Sequence, residues 1–166
     1  MGEDLDLTKL PGYIGVKMIT ARPMDHFEFL KRSGKELPDH ENSLGYQVFY
    51  PDGYVSWSPK EVFEEAYREI ASGNMTFGLA IEALKKGKKV ARKGWNGKDM
   101  FLFFQESSNI EPGVIRNSIL KAYAEQFGGS PIYIRSHIDL KAADGTIAMW
   151  SPSGSDALAD DWFIVD

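Results

Sequence analysis

The sequence predicts an α+β fold with a mainly antiparallel sheet and packed helices, divided into two small units. Short runs of β-forming residues are separated by Asp-Gly turns, a pattern typical of hairpins. Amphipathic segments with recognisable helix ends lie between these runs. The small polar residues 71–74 separate two helical patterns and predict a short linker, so we place one unit at 1–74 and the other at 75–166.

The first unit is predicted to combine a β-hairpin with helices. Its elements in order are a strand at 13–20, a helix at 24–32, a polar loop at 34–45 and a hairpin at 46–57. The segment Ser58-Pro59-Lys60-Glu61 then combines a capping box with proline at the first helical position. The helix that follows is expected to bury a stripe formed by Val62, Phe63, Ala66, Tyr67 and Ile70.

The second unit begins with the clearest helix of the chain. Phe77, Ala80, Ile81 and Leu84 recur at helical spacing, and Gly87 follows as a stop signal. The later elements are predicted as strands at 88–92 and 100–104, a helix from Pro112 to about Phe127, strands at 132–141 and 146–150, a short helix within 151–160 and a strand at 162–165. Alternation in the strand at 132–141 predicts that Leu140 and Lys141 face opposite ways.

The composition predicts a folded protein of the cytoplasm. No cysteine is present among the 166 residues, which excludes disulfides, zinc–thiolate sites and a cysteine nucleophile. No apolar run approaches the roughly 20 residues that span a bilayer, and the acidic first ten residues do not resemble a secretory signal. The net charge of −5 argues against a general nucleic-acid binder. Seven basic residues nevertheless fall between Lys85 and Lys98, where they either attract a small anionic ligand or form a solvated helix end.

The segment 92–101, Arg-Lys-Gly-Trp-Asn-Gly-Lys-Asp-Met-Phe, is the strongest candidate for a ligand site. Glycine has no side chain and tolerates positive φ, so Gly94 and Gly97 would bring backbone N–H groups close to a phosphate. Trp95 would offer a stacking face, and the Asn96 amide would hydrogen-bond a ribose or a base edge. The alternative is that Trp95 is a core residue beside a tight turn, with the flanking lysines facing solvent.

The sequence offers little for catalysis or metal binding. The histidines at positions 26, 40 and 137 are scattered, outside metal-ligand spacing, and the serine-rich segment 151–155 lacks a nucleophile elbow. Asp156, Asp160 and Asp161 could supply an acid–base pair, although carboxylates at helix ends or facing solvent are more frequent. We therefore predict neither a metal site nor a catalytic centre.

Three tryptophans of the second unit fall at informative places. Trp162 alternates with Ile164 in the last predicted strand, which favours a place in the core. Trp95 and Trp150 both lie where a strand meets a loop. Such a placement is compatible with one shared aromatic pocket and equally with ordinary core packing.

Ordered motifs spread over residues 75–166 carry a family resemblance. They are Met75-Thr76-Phe77-Gly78, Gly87-Lys88-Lys89-Val90-Ala91-Arg92, Gly94-Trp95-Asn96-Gly97, Asp144-Gly145, Trp150-x-Pro152-Ser153-x-x-Asp156 and Asp161-Trp162. With these motifs the segment resembles the Thoeris anti-defence protein type two family of bacteriophages. Where related sequences often carry glutamine, this chain has Gly154-Ser155, which removes a long amide.

The resemblance implies a sponge that acts in the cytoplasm of an infected bacterium. Members bind a cyclic ADP-ribose isomer made by TIR-domain immune enzymes and hold it uncleaved, and some members also bind cyclic oligonucleotides. The resemblance further implies homotetramers with ligand sites at subunit interfaces, no enzymatic activity, no cofactor, and no DNA or membrane partner. On the matching positions, the implied ligand-binding residues are Arg92, Gly94, Trp95, Asn96, Gly97, Met100, Phe101, Trp150, Ser153 and Asp156.

Two other functions fit the same sequence. A hydrolase could use Asp156, Asp161 or His137 on the same nucleotide signal. A protein-interaction module could act through residues 1–74, which lie outside the minimal family domain and have no role implied by the resemblance.

Overall fold

The computed structural model describes residues 16–165 of the protein. The chain divides into two compact units, Met1–Arg68 and Glu69–Asp166. The division lies a few residues before the predicted linker at 71–74. The described residues form helices and antiparallel sheets, which confirms the predicted α+β class.

The first unit is built on a three-stranded antiparallel sheet in the order β1-β2-β3. Its elements are β1 (Thr20–Pro23), α1 (His26–Arg32), β2 (Gly45–Phe49), β3 (Val55–Pro59) and α2 (Lys60–Ala66). The predicted hairpin is confirmed, because β2 and β3 pair in register from Gly45↔Pro59 to Phe49↔Val55. The strand predicted at 13–20 is wrong for its described part: pairing begins only at Thr20, and residues 13–15 lie outside the described residues.

The capping box predicted for α2 is wrong. Ser58 belongs to β3, where it lies opposite Tyr46, and Pro59 occupies the N-cap without any side-chain hydrogen bond to the helix. The helix also ends at Ala66, so that Tyr67 and Ile70 fall outside it. Ser58, which the motif assigned to the start of the helix, is therefore part of the sheet. Its backbone groups pair with the neighbouring strand, so the residue cannot also cap the helix.

A five-stranded antiparallel sheet, in the order β10-β4-β5-β8-β9, organises the second unit. Its strands are β4 (Lys89–Arg92), β5 (Phe101–Gln105), β8 (His137–Lys141), β9 (Ile147–Met149) and β10 (Trp162–Val165). Helix α3 (Phe77–Lys85) packs on one face against β4, β5 and β10. The helix begins at Thr76, whose side chain accepts the Leu79 N–H, and Gly87 follows its end with φ +75°.

The core of this unit lies between α3 and the sheet. Its fully or nearly fully buried side chains are Ala80, Ala83, Leu84, Val90, Leu102, Trp162 and Ile164. The predicted core position of Trp162 is thus confirmed, and so is the predicted α3 stripe at Ala80 and Leu84, while its Phe77 and Ile81 are half-buried. The sequence of β8 also alternates as predicted, because Leu140 pairs with buried Leu102 and Lys141 pairs with Phe101.

Between β5 and β8 the chain forms an extension whose two-stranded pairing the sequence did not predict. It contains β6 (Ser108–Ile110), a 3-10 turn (Pro112–Val114), α4 (Ser118–Gln126) and β7 (Ile132–Ile134), and β6 pairs with β7. The single helix predicted from Pro112 to about Phe127 is wrong, since it is interrupted at residues 115–117, where Asn117 caps α4. The strand predicted at 132–141 is likewise split between β7 and β8. We call residues 108–134 the β6–β7 extension.

No helix within residues 16–165 is long and apolar enough to cross a membrane.

Candidate functional site

The loop at residues 93–100, here called the glycine loop, joins β4 to β5 and begins at an ionic cluster. The Arg92 guanidinium donates from Nε to Asp161 Oδ1 at 2.7 Å and from Nη1 to Asp156 Oδ1 at 2.8 Å. These side chains are 16%, 26% and 13% exposed, respectively. One cation is therefore shared by two carboxylates, and we call these three residues the Arg92 cluster.

Both carboxylates of the Arg92 cluster are strongly held in their ionised form. Burial by itself would raise the pKa of Asp156, but hydrogen bonds from Ser153, Arg92 and Trp95 outweigh burial and lower this pKa from 3.8 to about 2. The hydrogen bond from Arg92, aided by the Gly94 N–H, lowers the pKa of Asp161. A carboxylate whose pKa is lowered below its ordinary value is a weak base, which argues against either aspartate as a general base at neutral pH.

Asp161 also fixes the start of the glycine loop. Its Oδ2 accepts the Gly94 N–H at 2.9 Å, and its backbone carbonyl accepts the Lys93 N–H at 3.2 Å. A Cβ on Gly94 would lie 3.0 Å from this Oδ2, which explains why a residue without a side chain suits the position. The Gly94 N–H, predicted to approach a phosphate, has a protein partner in this structure.

Asp156 connects the loop to a short helix, α5 (Gly154–Ala157). Ser153 and Asp156 form a capping box: the Ser153 side chain accepts the Asp156 N–H, and the Asp156 side chain accepts the Ser153 N–H. The same carboxylate accepts the Trp95 indole N–H at 3.4 Å. Ser153 and Asp156 thus serve the internal architecture of the loop region.

The three tryptophans of the unit contact one another edge to face. The ring centroids of Trp95 and Trp162 are 5.5 Å apart at an interplanar angle of 77°, and those of Trp150 and Trp162 are 6.1 Å apart at 81°. Trp95 and Trp150 also meet, at 6.3 Å. Trp162 is completely buried, whereas Trp95 and Trp150 are partly exposed. Trp95 is therefore supported from behind by packed aromatic rings and keeps part of its own surface open.

An open cavity of about 350 Å³ lies beside this cluster, and we call it the sheet cavity. Ala91, Phe163 and Val165 alternate with the residues that face α3, so the cavity lies against the opposite face of the sheet. Arg92 is the last residue of β4 and borders the cavity from the end of that strand. The lining consists of Ala91, Arg92, Trp95, Gly97, Asp99, Met100, Phe101, Lys141, Phe163 and Val165. An apolar floor of strand side chains is thus bordered by the glycine loop.

The second half of the glycine loop forms one wall of the sheet cavity. Met100 packs over Gly97 so closely that a Cβ there would lie 2.0 Å from its Sδ. Neither loop glycine has positive φ; Asp99 adopts φ 57° instead. The Asp99 carbonyl accepts a hydrogen bond from Lys141 Nζ at 3.1 Å. The left-handed turn predicted for a glycine is therefore made by an aspartate that β8 supports.

Comparison with known proteins assigns this region to a family. Residues 75–165 match the model of the Thoeris anti-defense 2-like domain. A protein of Bacillus phage SP01 named Thoeris anti-defense 2 is 43% identical over 97 residues, which cover 55% of this chain and 94% of that protein. This chain belongs to the Thoeris anti-defense 2-like family.

The family domain brings some of the ten sequence-predicted site residues together and separates others. Five of them line the sheet cavity: Arg92, Trp95, Gly97, Met100 and Phe101. Trp150, Ser153 and Asp156 lie behind the loop, in the aromatic and ionic contacts that support it. Gly94 and Asn96 belong to the loop but lie outside the cavity lining.

Sequence reasoning missed several residues of the site in the Thoeris anti-defense 2-like domain. Phe163 and Val165 alternate with the buried residues of β10, so the period-2 pattern alone could have indicated their common face. Lys141 reaches the cavity because β8 pairs with β5, and no local pattern encodes that pairing. The sequence indicates Asp161 as an acid–base candidate but does not reveal its bond to Gly94, because that bond spans 67 positions of the chain.

The histidine considered for hydrolysis lies away from the sheet cavity. His137 Nε2 lies 3.4 Å from Asp139 Oδ1, at the opposite end of β8 from Lys141. The two ends are four residue steps apart, a distance of about 13 Å along the strand. Among residues 16–165 there is also no group of three or more His, Cys, Asp or Glu that could hold a metal ion.

Proposed function

We propose that this protein is a phage anti-defence protein that binds a cyclic nucleotide immune signal in the cytoplasm of the infected bacterium and holds it uncleaved. The proposed ligand is glycocyclic ADP-ribose made by TIR-domain enzymes, with cyclic di- or trinucleotides as further ligands. The family match and the phage relative support the anti-defence role. The observation that carries the binding proposal is that five of the predicted ligand residues line one cavity.

The chemistry of the sheet cavity suits a nucleotide. Its volume of about 350 Å³ falls in the usual range for small-molecule sites. Phe101 and the exposed part of Trp95 offer aromatic surface to a base, and Lys141 supplies positive charge at the border. An apolar floor with a few polar groups at its border is the usual arrangement of a specific ligand pocket.

Sequestration without cleavage is supported by the state of the candidate catalytic groups. The carboxylates of Asp156 and Asp161 are engaged by Arg92 and hold their protons weakly. Their hydrogen bonds stabilise the loop and compete with any proton transfer to or from a ligand. The hydrolase alternative is therefore less well supported than a binding function.

We further propose that the ligand is enclosed by self-assembly into a homotetramer, with the binding sites at subunit interfaces. The sheet cavity is open within one subunit. Several large apolar side chains of the β6–β7 extension are more than half exposed, namely Val114, Ile119, Tyr123, Phe127 and Tyr133. Large apolar side chains left exposed in one extension favour a protein-interaction surface.

The decisive experiment identifies what the protein binds and what it releases. Full-length protein is mixed with a lysate of cells producing the TIR-enzyme signal, washed free of solute and heat-denatured, and the supernatant is analysed by mass spectrometry. Intact glycocyclic ADP-ribose is the expected product, and recovery of hydrolysed fragments alone would overturn the proposal. Light scattering on the same preparation is expected to give a mass of four chains of 18.6 kDa.

Phe101 and Phe103 provide a matched pair for locating the site. Both lie on the same face of β5 and both are partly exposed, but Phe101 alone of the two lines the sheet cavity. Since stacking on an aromatic ring is worth roughly 1–3 kcal/mol, Phe101→Ala should weaken ligand binding about tenfold or more in calorimetric titration. Phe103→Ala should change affinity little. Equal losses in the two variants would place the ligand elsewhere.

A further inference from the structure

Two cationic side chains line the sheet cavity, Arg92 and Lys141, and they differ in how far carboxylates of the protein already neutralise their charge. Arg92 donates to Asp156, to Asp161 and, at 3.4 Å, to the Ser155 carbonyl, so its charge is more than balanced by two carboxylates. Arg92 is among the residues for which the family resemblance implies contact with the ligand. In this geometry a ligand would have to break a partly buried ion-pair network to obtain that contact, at considerable cost in free energy.

Lys141 is engaged by a neutral group instead. Its Nζ donates to the Asp99 carbonyl at 3.1 Å, which uses one of the three ammonium donors. Because a carbonyl carries no formal charge, this bond does not neutralise the lysine. Two acidic residues lie near Lys141: Asp99 also lines the cavity, and Asp144 is close enough for the charge of Lys141 to help lower its pKa. The Asp144 carboxylate accepts hydrogen bonds from the backbone and side chain of Thr146.

The partner of Lys141 is a strained position of the glycine loop. Asp99 has φ 57°, a conformation that costs free energy for a residue with a side chain and that persists only where surrounding contacts hold it. The hydrogen bond from Lys141 is one such contact. Lys141 thus joins three features: the cavity, the positive charge and the strained turn of the loop.

We propose that Lys141 binds the phosphate groups of the ligand and that Arg92 instead positions the loop. This inference rests on the proposed nucleotide-binding function and specifies the residue that makes it selective for an anionic ligand. Lys141 can donate its remaining N–H groups to a phosphate while its hydrogen bond to the Asp99 carbonyl stays intact. The same side chain then binds the ligand and stabilises the loop.

The first test compares two lysines near the same loop. Lys141→Met should weaken binding of glycocyclic ADP-ribose about 10- to 100-fold in calorimetric titration, as expected for loss of a charged hydrogen bond. Lys98→Met makes the same charge change at an exposed loop residue outside the cavity lining and should leave affinity within about threefold, since exposed charges are well screened. Equal effects of the two substitutions would overturn the proposal.

A second comparison separates ligand contact from support of the loop. Asp99→Gly removes the cost of the positive φ, so the loop no longer depends on Lys141 for this turn. If Lys141 contacts phosphate, Lys141→Met should weaken binding as much in the Asp99→Gly background as in the native one. Restoration of affinity by Asp99→Gly would reduce Lys141 to a structural support and refute the inference.

Inorganic pyrophosphate distinguishes failure of this inference from failure of the proposed function. Titrated into the wild-type protein at millimolar concentration, it should shift the NMR amide signals of Asp99 and Lys141, and Lys141→Met should abolish these shifts. If glycocyclic ADP-ribose does not bind but pyrophosphate gives this pattern, the proposed ligand is wrong and the anion site stands. If pyrophosphate shifts these signals equally in Lys141→Met, the anion site is wrong.

Discussion

The guanidinium of Arg92 determines which polar groups of the glycine loop remain available to a ligand. It holds Asp156 and Asp161 together, and these carboxylates in turn engage the Trp95 indole N–H and the Gly94 N–H. Removing one partner would leave a poorly solvated charge. The free-energy cost of that lone charge exceeds the stabilisation that the intact ion pair provides. Motif residues that suggest ligand contact can therefore serve instead to hold the glycine loop in its conformation.

The low pKa of Asp156 predicts a pH dependence of stability in the family domain. Because the pKa is about 2 in the folded protein and 3.8 ordinarily, the stabilisation is complete above about pH 5 and is lost as the pH falls towards 2. The difference corresponds to about 2 kcal/mol in the free energy of unfolding. Asp156→Asn should remove this part of the acid sensitivity while lowering stability at pH 7.

Tryptophan fluorescence in urea measures the effect, since three of the four tryptophans belong to the second unit. Asp160→Asn, at an exposed neighbouring carboxylate, controls for the change in charge. The loss of unfolding free energy between pH 7 and pH 2 should be smaller in Asp156→Asn than in the wild type and in Asp160→Asn. An identical loss in all three proteins would contradict the assigned role of Asp156.

Among the secondary structure elements, those specified by local patterns were predictable from sequence. Helix α3 carries its stripe, its Thr76 cap and its Gly87 stop within a dozen residues, so nothing distant was needed. The split between β7 and β8 was not predictable, because β7 pairs with β6 and β8 with β5 and β9. Strand pairing is a non-local choice, and a single alternating run satisfies either arrangement.

The residues of the candidate site likewise fall into those that a local pattern indicates and those that depend on long-range pairing. Periodicity and motif together indicated Trp95, Gly97 and Phe101, which all line the sheet cavity. The contribution of Lys141 depends on the β5–β8 register, and the engagement of Arg92 depends on aspartates 64 and 69 positions later in the chain. Spacing along a sequence does not reveal whether a basic side chain already has acidic partners in the fold.

The glycine loop predicts a specific intolerance at Gly97. A Cβ there would lie 2.0 Å from Met100 Sδ, 2.8 Å from its Cγ and 3.1 Å from the Ala143 Cβ. Gly97→Ala should therefore displace Met100, lower the free energy of unfolding by about 1–3 kcal/mol and distort the cavity wall. Gly113→Ala is the matched control, because nothing lies within 4 Å of the Cβ built there.

Thermal unfolding followed by circular dichroism provides the measurement. The melting temperature should fall in Gly97→Ala and stay near the wild-type value in Gly113→Ala. The double variant Gly97→Ala/Met100→Ala removes the clashing side chain and should recover part of the loss. If the double variant is less stable than the sum of its single changes implies, the Gly97–Met100 contact is not the cause.

At the scale of the whole molecule, the family domain and the compact unit differ in where they begin. The family match starts at residue 75, whereas the unit starts at Glu69. One residue between these points bonds the last strand: the Ile70 carbonyl accepts the Ile164 N–H at 2.8 Å. Met75 and Trp162 exchange two further backbone bonds, at 3.0 and 3.1 Å. One backbone hydrogen bond to the last strand is therefore supplied by a residue that precedes the family match.

This arrangement predicts that a chain of residues 69–166 is more stable than a chain of residues 75–166. The shorter chain leaves the N–H of Ile164, a residue only 9% exposed, without its partner, and an unsatisfied buried donor costs about 1–3 kcal/mol. For a domain of this size each kcal/mol corresponds to roughly 4–8 °C in melting temperature, which circular dichroism resolves easily. Equal melting temperatures would show that Ile70 contributes nothing to the fold.

If the sponge function belongs to the family domain, the 69–166 chain should also bind glycocyclic ADP-ribose as tightly as the full protein. Loss of binding in that folded chain would instead assign an essential role to residues 1–68.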